Sequence, residues 1–218
     1  MLDKNIFPFL KELKTNNSKE WFDENRKRYK ILRTNFIDFV SVLILELSSI
    51  DPSVKYIEAK DSVFRINRDI RFSKDKSPYK TNMGAFISPG GRKSGFPGYY
   101  LHLEPGSTFA AGGVYMPQPA ELKAIRTTIF ENPDEYRKII ETKDFKNLFG
   151  EVAGEKLKNA PKGFPKEDDN INLIKLKSYT VSHKINEKTL FQKNTFSELM
   201  KIYSGIKDFN FFLKRDME

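Results

Sequence analysis

Residues 99–115 read YYLHLEPGSTFAAGGVY. Two runs with a period of two, 99–104 and 108–115, flank Glu104-Pro105-Gly106-Ser107, which has the composition of a tight hairpin turn. Strands joined so closely run antiparallel, because a parallel neighbour needs a crossover of a dozen residues or more. Upstream, 63–72 and 83–88 show the same alternation, and Pro89-Gly90-Gly91 supplies another turn. Downstream, 179–185 reads as one more strand. Consecutive hairpins predict an antiparallel meander and argue against a parallel, dinucleotide-binding type of sheet.

On either side of this segment the period changes to that of a helix. Residues 7–13 form a short apolar helix, and Ser18 stands before Lys19-Glu20-Trp21 as an N-cap. From there Phe22, Tyr29, Leu32, Phe36, Val40, Leu43 and Leu47 make one apolar stripe, which predicts a single long helix ended by Asp51-Pro52. Lys19, Arg26, Lys30 and Arg33 form a second stripe beside it, read as a solvated flank. Leu122, Ile125 and Ile129 mark a helix after Pro119, and Pro133 opens another that runs through Ile140. Leu199, Ile202, Ile206 and Phe209 face inward on a closing helix over 195–214. The expected fold is a single α+β domain over 1–218, an antiparallel sheet covered by helices.

A chain of 218 residues is long enough to bury roughly 70% of its unfolded surface without staples. With no cysteine there is no disulfide, no thiolate nucleophile and no cysteine-bound metal. Two histidines, His102 and His183, do not suggest a histidine-rich metal site. No metal or cofactor is therefore expected, although Asp69 and Asp75 are carboxylates of the kind that bind Mg²⁺. The opening residues do not read as a secretory signal. The longest apolar run, Val42-Leu43-Ile44-Leu45, is far short of the ~20 residues that span a bilayer. The expectation is a cytoplasmic protein with no membrane partner.

The formal charge of +9 favours anionic partners. Residues 60–93 hold nine cations against three acids, most of the chain's excess. Within this block, FRINRDIRFSKDKSPYKTN occupies 64–82. Read as a strand, it places Arg65, Asp69 and Arg71 on one face, with Asp69 about 7 Å from each arginine. A carboxylate there would orient two guanidiniums toward a phosphate or carboxylate. Phe64, Ile66, Ile70 and Phe72 would share the other face with Arg68, which needs a partner if it is buried. Arg65, Arg68, Arg71, Lys76 and Lys80 are the candidate ligand-binding residues. His102, Asp69 and Tyr79 are the candidates for proton handling, His102 because imidazole titrates near neutrality. Each also has a plain structural reading: cross-strand ion pairs, a hydrogen-bonded sheet histidine and a core tyrosine. Ala110-Ala111-Gly112-Gly113 permits close approach by a ligand or another backbone. The glycine-containing loop 88–95 lacks the spacing of a phosphate-binding P-loop.

The pattern Arg65-x-x-Arg68-Asp69-x-Arg71-Phe72, followed by Asp75-Lys76-x-x-Tyr79, resembles a bacterial family of uncharacterised proteins, the domain of unknown function 2461. Gly112-Gly113 before Pro117, and Pro161-Lys162-Gly163-Phe164-Pro165 leading to 173–177, are similar to it as well. The resemblance covers nearly the whole chain. It implies a single-domain protein of this length and carries no reaction, cofactor or catalytic residue. The sequence thus supports a small anionic ligand first, with nucleic acid or a purely structural Arg/Asp ladder as alternatives. Whether the protein is an enzyme, and its oligomeric state, stay open at this point.

Overall fold

The computed structural model of the chain describes residues 1–217. It opens with α1 (Ile6–Thr15), α2 (Lys19–Glu24) and α3 (Arg26–Ser48). Ser18 caps α2 by accepting a hydrogen bond from the Trp21 amide at 3.3 Å. The single helix expected from Lys19 onward is broken at Asn25 (φ −94°, ψ 6°). The Asn25 amide and side-chain nitrogen both donate to the Trp21 carbonyl, at 3.1 and 3.0 Å. Asparagine competes in this way with the regular helical ladder. The apolar stripe survives the break, and Phe22, Leu32, Phe36, Val40, Leu43 and Leu47 are all buried.

After a short helix, α4 (Ala59–Ser62), come the strands β1 (Met83–Ile87), β2 (Gly98–Leu103) and β3 (Phe109–Val114). Then follow α5 (Pro119–Glu131), α6 (Pro133–Ile140) and α7 (Lys143–Phe149). The strand β4 (Tyr179–Lys184) and the helix α8 (Thr195–Lys214) complete the order. The sheet is an antiparallel meander, β1-β2-β3-β4, with Tyr99 opposite Ile87 on one side and Gly112 on the other. The α+β architecture agrees with the expectation. The strand expected over 63–72 does not form: only isolated bridges occur there, Val63 to Ala85 and Asn67 to Tyr79.

Helix α8 lies on one face of the sheet. A Cβ at Gly112 would stand 2.2 Å from the Ile206 side chain, and one at Gly113 (φ +98°) 2.0 Å from the Tyr179 carbonyl oxygen. The small-residue run therefore admits a helix and a neighbouring strand. Tyr203 donates to the Tyr100 carbonyl at 3.0 Å, and its ring meets Tyr99 edge-on at 5.6 Å. Asn210, 5% exposed, ties the two layers together. Its oxygen accepts from the Gly113 amide at 2.9 Å and its nitrogen donates to the Gly98 carbonyl at 3.0 Å. Helix α3 joins this core through Phe39, stacked on Phe196 at 4.8 Å. The buried Asp51, just past its end, accepts from the Tyr99 hydroxyl at 3.1 Å. Burial, followed by the Asp51 charge, raises the pKa of that hydroxyl. No helix among the described residues is long and apolar enough to cross a membrane.

Asn210→Ala strands a buried amide and a buried carbonyl, each costing about 1–3 kcal/mol. The variant is expected to lose about 2–6 kcal/mol. Urea unfolding should show a lower midpoint at unchanged m-value, and a midpoint equal to that of the wild type would refute the role given to Asn210.

Candidate anion-binding site

Residues 63–82 leave the sheet almost at once. Phe64 still donates its amide to the Gly84 carbonyl at 2.9 Å. Beyond it the segment folds back on itself, with Lys80 N–H donating to Ile66 O at 2.8 Å and Arg68 N–H to Pro78 O at 2.9 Å. Two aspartates turn the chain. Asp69 accepts from the Arg71 amide at 3.3 Å, and Asp75 from the Ser77 amide at 2.9 Å. Such side-chain turns override a period-two pattern. The expected faces are lost as a result: Ile66 is 4% exposed, whereas Phe72 is 96% exposed.

Most of the charges in this loop are used within it. Arg71 grips Asp69 with two bonds, Nε to Oδ1 at 2.9 Å and an Nη to Oδ2 at 2.7 Å. That grip, led by the side-chain hydrogen bond, lowers the Asp69 pKa to about 2. Arg68 pairs with Asp75 and donates to Ser77 O at 3.1 Å and Ser73 Oγ at 3.3 Å. Asp75 is also held near 2, first by the Ser77 hydroxyl and amide and then by Arg68. Lys76 donates to Ile70 O at 3.1 Å, and Lys80 to Arg65 O at 2.7 Å. Among the described residues no cluster of three or more His, Asp or Glu could hold a metal ion. Surface pairs of this kind add little stability. Their effect is to fix the shape of the loop.

At the base of the loop lies a cleft of about 330 Å³. Arg26, Tyr29 and Arg33 enter it from α3, at the spacing of three and four that puts side chains on one helix face. Lys60, Arg65 and Arg92 face them, and no carboxylate lines the cleft. Phe22 and Tyr79, stacked at 4.0 Å, contribute an aromatic wall. Asn17 braces this wall, exchanging two hydrogen bonds with the Tyr79 backbone at 2.9 and 3.1 Å. Arg26 pairs with Asp23, and Lys60 with Glu58 at 2.5 Å. Arg33, Arg65 and Arg92 have no carboxylate partner among the described residues. Arg92 is positioned by donating Nε to Asp61 O at 2.7 Å and by packing 4.9 Å from the Phe64 ring centre. Lys80 approaches the same ring at 5.5 Å. Its pKa is lowered, first by burial and then by the Arg65 and Arg92 charges.

The predicted site residues therefore separate. Arg65 and Tyr79 line the cleft and Lys80 adjoins it, while Arg68, Asp69, Arg71 and Lys76 build the loop above it. His102 lies on the sheet face. Its Nδ1 meets the Tyr100 hydroxyl at 2.9 Å and its Nε2 meets Glu104 at 3.3 Å, while its ring stacks on Phe109 at 4.6 Å. The structure does not bring it to Asp69 or to an arginine. Arg26 and Arg33, read as a solvated flank, are cleft residues. Their signal was the Arg26–Tyr29–Arg33 spacing itself, which places an aromatic and two cations on one surface.

A family model described as "Conserved hypothetical protein (DUF2461)" matches residues 5–212. The chain belongs to the DUF2461 family. No curated protein and no solved structure matches the chain. The motif that suggested DUF2461 falls on the cleft rim (Arg65, Tyr79) and on the loop above it (Arg68 to Lys76).

Since the Ser77 hydroxyl and the Arg68 side chain both hold the Asp75 proton off, Ser77→Ala and Arg68→Ala should each raise the Asp75 midpoint. Carboxyl ¹³C NMR between pH 1 and 6 checks this. Both aspartates have folded-state pKa values below the ordinary one. Their contribution to loop order is present above about 3.8 and is lost as the pH falls through about 2. Arg68→Ala should also speed tryptic cleavage after Lys74 and Lys76 while the global Tm changes little. Unchanged cleavage would show that the pairs do not hold the loop.

Proposed function

We propose that the cleft binds a small anionic ligand bearing a phosphate or carboxylate group. The observation that carries this reading is the convergence of Arg33, Arg65 and Arg92 on one cleft without an acid among its lining residues. Like charges held together raise the free energy of the empty protein, and an anion between them removes that cost. Guanidiniums suit the role because their planar fork grips phosphate and carboxylate oxygens in pairs. Lys80 adds a further charge beside Arg65 and Arg92, and a bound anion would raise its pKa again. Of the three residues considered for proton handling, Tyr79 is the one at the cleft wall. Any chemistry on a bound ligand would therefore begin with its hydroxyl or that of Tyr29. Arg68, Arg71 and Lys76 serve the site by shaping the loop rather than by touching the ligand.

Thermal melts with phosphate, pyrophosphate and citrate test the proposal. A ligand at 100 times its Kd adds about 2.7 kcal/mol, worth roughly 5–10 °C in a chain of this size. Arg65→Ala and Arg33→Ala are expected to fold with stability within about 0.5 kcal/mol of the wild type or better, and to lose the shift. Arg71→Ala should keep it. A shift that persists without Arg65 and Arg33, or no shift with any anion, would reject the cleft as the site.

A further inference from the structure

Phe72 breaks the rule that a large aromatic side chain is buried. It is 96% exposed, at the tip of the loop rising from the cleft. The loop is cross-braced by Arg68 to Asp75, Arg71 to Asp69 and Lys76 to the Ile70 carbonyl, and its base is closed by the Asn67–Tyr79 bridge. A braced loop presents its tip residue with little conformational freedom left to lose on binding. Beside Phe72 stand Arg71, whose guanidinium carbon is 5.9 Å from the ring centre, and the exposed Lys74. Tyr79 and Tyr99 are buried, at 5% and 1% exposure, and the partly exposed Phe64 ring is approached by Lys80 and Arg92, whereas Phe72 is almost fully open.

Building on the reading of the cleft as an anion site, we infer that the DUF2461 protein binds single-stranded nucleic acid, with backbone phosphates in the arginine cleft and a base stacked on Phe72. Asn67 lines the cleft and Phe72 follows five residues later, so the tip lies within ~17 Å of it, a span of a few nucleotides. An aromatic platform beside a basic groove is the combination that holds single strands without reading their sequence. A lipid surface fits less well. One aromatic side chain is a weak membrane anchor, and the half-buried Arg33 and Arg92 are recessed where a flexible strand reaches and a flat headgroup layer does not.

Fluorescence anisotropy with labelled dT10 and an abasic strand of the same length tests this, with pyrophosphate calorimetry alongside. The wild type should bind dT10 more tightly than the abasic strand. Phe72→Ala should weaken dT10 binding by roughly tenfold, erase the difference between the two strands and leave pyrophosphate binding intact. Phe72→Trp should retain dT10 binding. Between 50 and 200 mM salt, Arg65→Ala should make the dependence of log K on log salt shallower by about 0.7. If Phe72→Ala binds dT10 as the wild type does while pyrophosphate still binds, the inference fails and the cleft reading stands. If neither dT10 nor pyrophosphate binds, both fail. Phe72-dependent binding to anionic phospholipid vesicles, without binding to dT10, would assign the loop to a lipid surface and overturn the inference.

Discussion

The contact on which the rest of the molecule depends is that between α8 and the sheet at Gly112 and Gly113. A side chain at either position would collide with Ile206 or the Tyr179 carbonyl, so the helix approaches the strands closely only because these positions lack one. Asn210 then bonds across the gap to β2 and β3 together, which fixes the helix against the register of the two strands. Both walls of the cleft are tied to this frame. The end of α3 is held by Asp51 on Tyr99 of β2, and the segment before the loop by the Phe64 amide on Gly84 of β1. Arg33 and Arg65 thus face one another because each is fixed to the same sheet from a different side.

How much of this was legible in the sequence depended on whether local pattern or a distant partner set the outcome. The turn at Glu104–Ser107 and the helix over 195–214 are local, and both form as read. The long helix was legible as a stripe but not at its break, since Asn25 bonding back to Trp21 leaves the apolar period intact. The strand over 63–72 was misread for a different reason. Its alternation is real, but Asp69 and Asp75 offer the backbone local partners that a strand would have to displace. The charged block was located correctly in the chain. Its division into loop-building pairs and cleft-lining cations was invisible, because Arg26 and Arg33, which share the cleft, arrive from α3, some thirty to forty residues upstream of Arg65.

That division separates two uses of the same residue type. Arg68 and Arg71 have carboxylates within seven and two residues, and the short connection makes pairing cheap in entropy. Arg65 lies between the two segments that close the loop base, where Lys80 takes its carbonyl; Asp69 feels the Arg65 charge but is gripped by Arg71 instead. The acids of the block are thus held in the loop or, as with Asp61, meet Arg92 through a backbone carbonyl rather than a carboxylate. A sequence with nine cations and three acids between 60 and 93 leaves some cations unpaired by number alone. The fold decides which, and it leaves two of them, Arg65 and Arg92, in a concave site.

A cleft of that kind carries a standing cost. Burial first, and then the neighbouring Arg65 and Arg92 guanidiniums, lower the Lys80 pKa. A protein selected only for stability would relieve it with one acidic substitution at the cleft wall, for instance at Asn67, which is exposed and lines the cleft without bonding to an arginine through its side chain. The side chain there is neutral, and the aromatic wall of Phe22 and Tyr79 beside it is rigidly stacked rather than polar. Of the cleft arginines, Arg26 pairs with Asp23, while Arg33, Arg65 and Arg92 have no salt-bridge partner among the described residues. On the proposed reading, an anionic ligand would supply the negative charge that the cleft lining lacks.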